Sequence, residues 1–128
     1  MTAVLDASAA IALLRTEPGH DRVADRLRGS LISAVNYTEV VQKLAQLGSD
    51  SAAEDAAVLS ALGMTVAAFD AEAAVRTAEM WPVTRHADLS LGDRACLALA
   101  ASLPDGIALT TDRAWAGVDV GVPVELIR

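Results

Sequence analysis

Apolar positions along this chain fall into two kinds of run, and their alternation predicts the fold. Short, mostly apolar runs read as strands: Val4-Leu5, with nothing polar to alternate with and so covered on both faces, then Leu31-Ile32, Met64 to Ala68, Ile107 to Thr110, and Val122 to Ile127. Longer stretches with helical spacing lie between them. Ala7 to Arg15 is an apolar helix stopped by Glu17-Pro18-Gly19, and His20 to Arg28 puts Val23, Ala24 and Leu27 on one face before Gly29. From Ala34 to Leu47 the apolar residues Tyr37, Val40, Val41, Leu44 and Leu47 recur at the spacing of a helix packed on a sheet. Ser51 with Glu54 has the signature of a reciprocal cap for a helix running through Leu62. Asp70 caps another helix, in which Ala74, Val75, Ala78 and Trp81 share a face until Pro82. Thr84 to Leu89 reads as loop, Leu91 to Leu103 as a helix apolar nearly all round and therefore buried, and Arg113 to Ala116 as a short helix. Strands alternating with helices predict an α/β fold with a parallel sheet and right-handed crossovers.

Composition narrows this picture. The 128 residues contain no Gly/Ser-rich or Pro-rich break, so residues 1–128 are expected to form one domain. Hydrophobic residues make up 53% and aromatics only 3%, which means a core of Ala, Leu and Val and few platforms for stacking bases. No run approaches the ~20 apolar residues of a membrane span, and the N-terminus lacks the pattern of a signal peptide, so a cytoplasmic protein without membrane association is expected. Cys96, the one cysteine, lies in an apolar helical run and reads as a buried, inert thiol. A net charge of −7 counts against a broad nucleic-acid surface. Nine of the ten basic residues are nevertheless Arg, the better residue for bidentate phosphate contacts, and Arg94 and Arg113 each directly follow an acid of interest.

Four such acids stand out: Asp6 just past the first strand, Glu39 and Asp93 in the first turns of helices, and Asp112 just past the fourth strand. Each has a purely structural reading, because acids near helix starts satisfy free N–H groups and the helix dipole. Asp6 and Asp112 have the positions of caps, and Asn36 with Glu39 and Ser90 with Asp93 have reciprocal-cap spacing. Together they read differently. The carboxyl ends of parallel strands share one edge, where α/β sheets place their ligand sites. Four carboxylates converging there without a Lys repel one another and call for a cation. Oxygen ligands with no His or Cys beside them favour Mg²⁺ or Mn²⁺ over zinc, and ions held this way suit phosphodiester hydrolysis.

The segments VLDASAAIALL, SAVNYTEVVQKL, LSLGDRACLALA and LTTDRAW, in this order and spacing, resemble the PIN-domain ribonucleases, and specifically the VapC-type toxins of bacterial toxin–antitoxin pairs. The resemblance covers essentially the whole chain. It implies a PIN-like three-layer sandwich with a parallel sheet in order 3-2-1-4-5, Mg²⁺- or Mn²⁺-dependent endonuclease activity on a structured RNA such as tRNA or rRNA, a homodimer, and inhibition by a VapB-type antitoxin. The family's four acids fall on Asp6, Glu39, Asp93 and Asp112, its hydroxyl two residues before the last acid falls on Thr110, and Ser8 matches a frequent polar position near the first acid. Asp88 reads as an exposed loop acid, His20 and His86 as surface residues, and Trp115 as packing.

Competing functions fail on named residues. A phosphorelay receiver needs adjacent acids after the first strand and a Lys after a late one, whereas Ala-Ser follows Asp6 and the only lysine is Lys43. A haloacid-dehalogenase phosphatase needs an Asp where this chain has Ser8. A catalytically silent acidic interaction domain is the remaining alternative, and metal binding separates it from the nuclease.

Overall fold

Val4 and Leu5, which have no polar neighbours to alternate with, lie in the middle strand of a five-stranded sheet and are covered on both sides. The computed structural model describes residues 1–117 and 119–128. Its elements are β1 (Thr2–Leu5), α1 (Ala7–Leu14), α2 (His20–Arg26), β2 (Leu31–Ser33), α3 (Ala34–Gln46), α4 (Ala52–Ala61), β3 (Thr65–Ala67), α5 (Ala71–Glu79), α6 (Trp81–Thr84), α7 (Leu91–Ala101), β4 (Gly106–Thr110), a 3₁₀ turn (Arg113–Gly117) and β5 (Val124–Leu126). All neighbouring strands are parallel, in the order β3-β2-β1-β4-β5 that the family resemblance implies.

Strand pleat divides the core into two layers of packing, one on each side of the sheet. Ala3, Leu5, Ile32, Ile107 and Leu109 face one way and join Ala9, Ala10, Val23, Val40, Leu44 and Leu59 from α1 to α4. Val4 and Ala108 face the other way and meet Cys96, Leu97 and Ala100 of α7 and Trp115 of the 3₁₀ turn. Register pairs Leu5 with both Ile32 and Leu109, so the ends of β1, β2 and β4 lie level on one edge. The chain leaves that edge into α1 at Asp6 and into α3 at Ser33.

Three details differ from the expected pattern. Ser51 makes no capping bond at α4; Ser49 and Ser51 instead donate to the Asp55 carboxylate, at 2.6 and 3.1 Å. Residues 81–84 form the short helix α6 rather than entering a loop at once, because Pro82 sits in its first turn, where the missing N–H has no intrahelical partner to lose. Most consequential is α5, whose shared apolar face points outwards: Val75 is 58% and Trp81 50% exposed. The inward side carries Ala73 and Thr77, which meet Ala95 and Ala98 of α7. Small residues let two helices approach closely, and Thr77 is buried without penalty because its hydroxyl donates to the Ala73 carbonyl at 2.8 Å.

Close packing also fixes Gly106, where β4 begins. A Cβ there would stand 2.2 Å from the Ala100 carbonyl oxygen, a backbone atom that cannot swing aside. Gly106→Ala is therefore expected to destabilise the fold by about 2–3 kcal/mol, the usual scale of overpacking. Urea unfolding with an unchanged slope and a lower midpoint would show this; a midpoint equal to wild type would mean that α7 and β4 separate freely.

Candidate active site

Asp6 ends β1 and caps α1. Its backbone N–H continues the ladder to the Leu109 carbonyl at 3.1 Å, and its Oδ1 accepts from the Ala9 N–H at 2.8 Å. Although it stands just past a strand end, Asp6 is only 5% exposed. Two hydroxyls hold it. Ser8 Oγ donates to Oδ1 at 2.7 Å and Thr110 Oγ1 donates to Oδ2 at 2.5 Å. Each hydroxyl is itself oriented by a backbone N–H, Ser8 by that of Thr111 at 2.9 Å and Thr110 by that of Asp112 at 3.0 Å, which commits both hydroxyl protons to Asp6. Burial nevertheless pushes the Asp6 carboxyl up from 3.8 to about 6, outweighing the hydrogen bonds from Thr110, Ser8 and Ala9, with repulsion from Asp93 as a smaller contribution.

Glu39 projects from α3 towards the start of α7. Its carboxylate lies where a side chain on Gly92 would be: a Cβ there would come within 2.6 Å of Oε1 and 2.8 Å of Oε2. The N-terminal turn of a helix favours an anion at such a place. Asn36 secures it, donating from Nδ2 to Glu39 Oε1 at 3.0 Å and to the Gly92 carbonyl at 2.9 Å. The Asn36–Glu39 spacing reads in the sequence as a reciprocal cap, but α3 starts at Ser33, whose hydroxyl accepts from the Val35 N–H. Asn36 thus occupies the second turn's approach and bridges two helices. It is 1% exposed, and its Oδ1 is buried without a protein partner, a situation that costs about 1–3 kcal/mol. Gly92 offers one signal in the sequence, a residue about 1 kcal/mol worse than Ala inside an otherwise Ala- and Leu-rich helix.

Asp93 and Asp112 have capping bonds. Ser90 and Asp93 form the reciprocal cap of α7, at 2.9 and 3.1 Å, and Asp112 Oδ1 accepts from the Ala114 N–H at 2.9 Å. Thr110 links Asp112 to Asp6, since its hydroxyl serves both. Cys96 is wholly buried against Val4 of β1: burial first, then the charges of Asp6, Asp93 and Glu39, push its thiol well above the ordinary range. A thiol held that way is inert.

A hard cation suits this edge by donor chemistry. The available ligands are carboxylate oxygens, and burial, with a smaller part from the charge of Asp93, holds Asp6 back from ionising. Among the described residues no three His, Cys, Asp or Glu side chains form a group already able to hold an ion. Asp6 is engaged by hydroxyls, and Asp93 and Asp112 by their caps, so the acids share an edge without converging on one point. Arg94 donates to the Leu89 carbonyl at 2.9 Å and so ties the loop before α7 to that helix, while Arg113 is exposed on the 3₁₀ turn. Asp88 and His86 are exposed, His20 is partly exposed at the start of α2, and Trp115 is buried in the core.

Residues 3–121 match the PIN domain family model. The chain belongs to the PIN domain family. Solved structures similar to this PIN domain include a chain of VapBC2 from Rickettsia felis bound to a DNA fragment from its promoter, with a TM-score of 0.69, 13% identity and 98% of each chain covered. A toxin–antitoxin complex from Klebsiella pneumoniae is similar at a TM-score of 0.72 and 18% identity, again over 98% of each chain. DNA-bound VapBC from Salmonella typhimurium gives 0.69 and 19%, covering 98% of this chain and 97% of that one. At these identities the likeness is one of fold. No curated protein matches the sequence significantly.

The raised carboxyl gives this PIN domain a testable pH dependence. A proton binds Asp6 more tightly in the folded chain than in the unfolded one, so its contribution to stability is full below pH 3.8 and is lost as pH rises through about 6. Asp6→Asn removes that loss: its amide can face Thr110, whose hydroxyl turns to accept. In EDTA the variant is expected to match wild type near the acid end and exceed it at neutral pH, by on the order of 2–3 kcal/mol. Parallel stability curves for the two proteins across this range would contradict the assignment.

Proposed function

We propose that this PIN domain is the toxin of a VapBC-type pair, a Mg²⁺- or Mn²⁺-dependent endoribonuclease silenced by a VapB-type antitoxin. The observation that carries the reading is the unneutralised acidic edge: Thr110 joins Asp6 to the backbone of Asp112, Glu39 lies against Gly92, the residue before Asp93, and among the described residues none of the four acids forms an ion pair. The likeness in fold to chains of VapBC complexes supports it.

Oxygens of Asp6, Glu39, Asp93 and Asp112 are the ligands this chain offers. A divalent ion bound there supplies an acidified water and charge stabilisation for in-line displacement at phosphorus. Asp6, dry and held in one orientation by Ser8 and Thr110, is the fixed point of the set. Glu39 adds a second carboxylate from the opposite helix, and Asp93 and Asp112 contribute from the rim, where turning towards an ion means relaxing their caps. Arg113 is free to meet substrate phosphate from the exposed turn beside Asp112, and Arg94 meets it with the N–H groups that Leu89 leaves over.

The substrate in this reading is a structured RNA such as tRNA or rRNA, and the antitoxin contributes an Arg or Lys to the acidic edge in place of metal or RNA. A homodimer belongs to the same reading, supported by the outward apolar residues Val75, Trp81, Val83 and Leu91, each at least half exposed. A cytoplasmic setting accords with the absence, among the described residues, of any helix long and apolar enough to cross a membrane. The rival view, that the acids only stabilise helix starts, draws on the caps made by Asp6, Asp93 and Asp112. It leaves Glu39 unexplained.

Asp93→Asn and Asp112→Asn separate the two. Asn caps about as well as Asp, so the metal-free variants are expected to differ from wild type by only a few tenths of a kcal/mol. In melts with saturating Mn²⁺ the wild type is expected to rise in Tm and the variants to rise less, since an ion that binds only the folded chain stabilises it by mass action. Antitoxin-free protein should also cleave RNA with Mn²⁺ and stop in EDTA. No rise for wild type, or equal rises for all three, would overturn the metal centre, and undiminished cleavage in EDTA would overturn the metal-dependent chemistry.

A further inference from the structure

We propose that Asn36 is a positioning residue that presets Glu39 as a metal ligand, fixing its carboxylate in the space Gly92 leaves open at the start of α7. The inference rests on the reading of the acids as a metal centre and adds to it a residue that itself touches neither metal nor RNA.

Three observations converge on Asn36. It is a polar side chain buried to 1% exposure between two helices, and both of its donors are spent on acceptors, Glu39 Oε1 and the Gly92 carbonyl. Two acceptors on one side dictate the amide's orientation, so Oδ1 must point away and is left buried with no protein partner. A Leu of similar size would close such a gap between helices without an orphaned oxygen, so stability alone does not select Asn here. Glu39 shows the same bias. Its position is exposed, it caps nothing, and among the described residues it forms no ion pair, yet its carboxylate is held by a buried amide.

Gly92 completes the arrangement. Helix propensity favours Ala in the first turn of α7, but a Cβ would meet the Glu39 carboxylate at 2.6 to 2.9 Å. That carboxylate is the end of a flexible side chain and can retreat. Gly92→Ala therefore displaces Glu39 from the Asn36 amide without a clash against backbone, and gives a second route to the same test. A side chain that orients a ligand typically controls metal affinity by about 10–100-fold.

The decisive measurement is Mn²⁺ affinity by isothermal titration calorimetry, on the antitoxin-free chain and on Asn36→Ala, Gly92→Ala, Glu39→Ala and the Asn36→Ala/Glu39→Ala double variant. Asn36→Ala and Gly92→Ala are each expected to weaken Mn²⁺ binding about tenfold or more, with Gly92→Ala melting no lower than wild type in EDTA. The double variant should bind no more weakly than Glu39→Ala alone, because Asn36 acts only through that carboxylate. Should Asn36→Ala fail to fold, Gly92→Ala decides. Glu39→Ala weakened while Gly92→Ala and Asn36→Ala bind as wild type, or losses that add in the double variant, would overturn the proposal and leave the metal centre standing. Failure of the wild type to bind Mn²⁺, or equal binding by wild type and Glu39→Ala, would overturn both.

Discussion

Keeping a carboxylate dry at the end of the central strand is the constraint around which this molecule is built. Asp6 tolerates burial only because three donors reach it, and two of them, Ser8 and Thr110, are held in place by backbone N–H groups of the segment leaving β4. That arrangement demands level ends for β1 and β4, hence their four-residue register, and it demands that α1 begin at once, since Ala9 supplies the third donor. The two apolar layers then follow from covering both faces of a strand that carries no polar residue between Thr2 and Asp6.

Stabilising a helix start and offering an oxygen to a ligand are compatible tasks for one acid. Asp93 and Asp112 are held by caps until something draws them away, and the cost of releasing an exposed cap is about 1 kcal/mol, small beside the binding energy of a divalent ion. Asp6 differs, because its hydrogen bonds constrain orientation in a place that solvent does not reach. Glu39 differs again in having no cap to leave. The four positions are therefore unequal: the side chains of Ser8 and Thr110 hold Asp6 and that of Asn36 holds Glu39, while Asp93 and Asp112 are held by backbone N–H groups alone.

Most of the fold was legible because its central strands β1 and β4 are buried on both faces and therefore largely apolar, and because Gly, Pro and capping residues mark nearly every helix end. The face of α5 was not. Periodicity reveals that Val75, Ala78 and Trp81 share a stripe, but it cannot tell whether the larger residues or the smaller Ala73 and Thr77 turn inwards; close contact with the Ala-rich α7 selected the smaller. The four acids could be named from their places at strand and helix ends and the hydroxyls of Ser8 and Thr110 from the family resemblance, while the depth of Asp6 could not, since burial depends on what the other strands bring to it. Asn36 escaped for a different reason. Its spacing to Glu39 fits a cap equally well, and only the position of Ser33 in three dimensions decides which bond the side chain makes.

The parallel sheet has a consequence for the order of events during synthesis. Asp6 leaves the ribosome early, but the hydroxyl of Thr110 that orients it lies 104 residues further on, and β1 has no partner in β4 until the crossover through α7 has been made. No hairpin can nucleate this sheet locally, so its central pairing carries the long loop-closure cost typical of parallel topologies. The acidic edge is assembled only once the chain through Asp112 has been made.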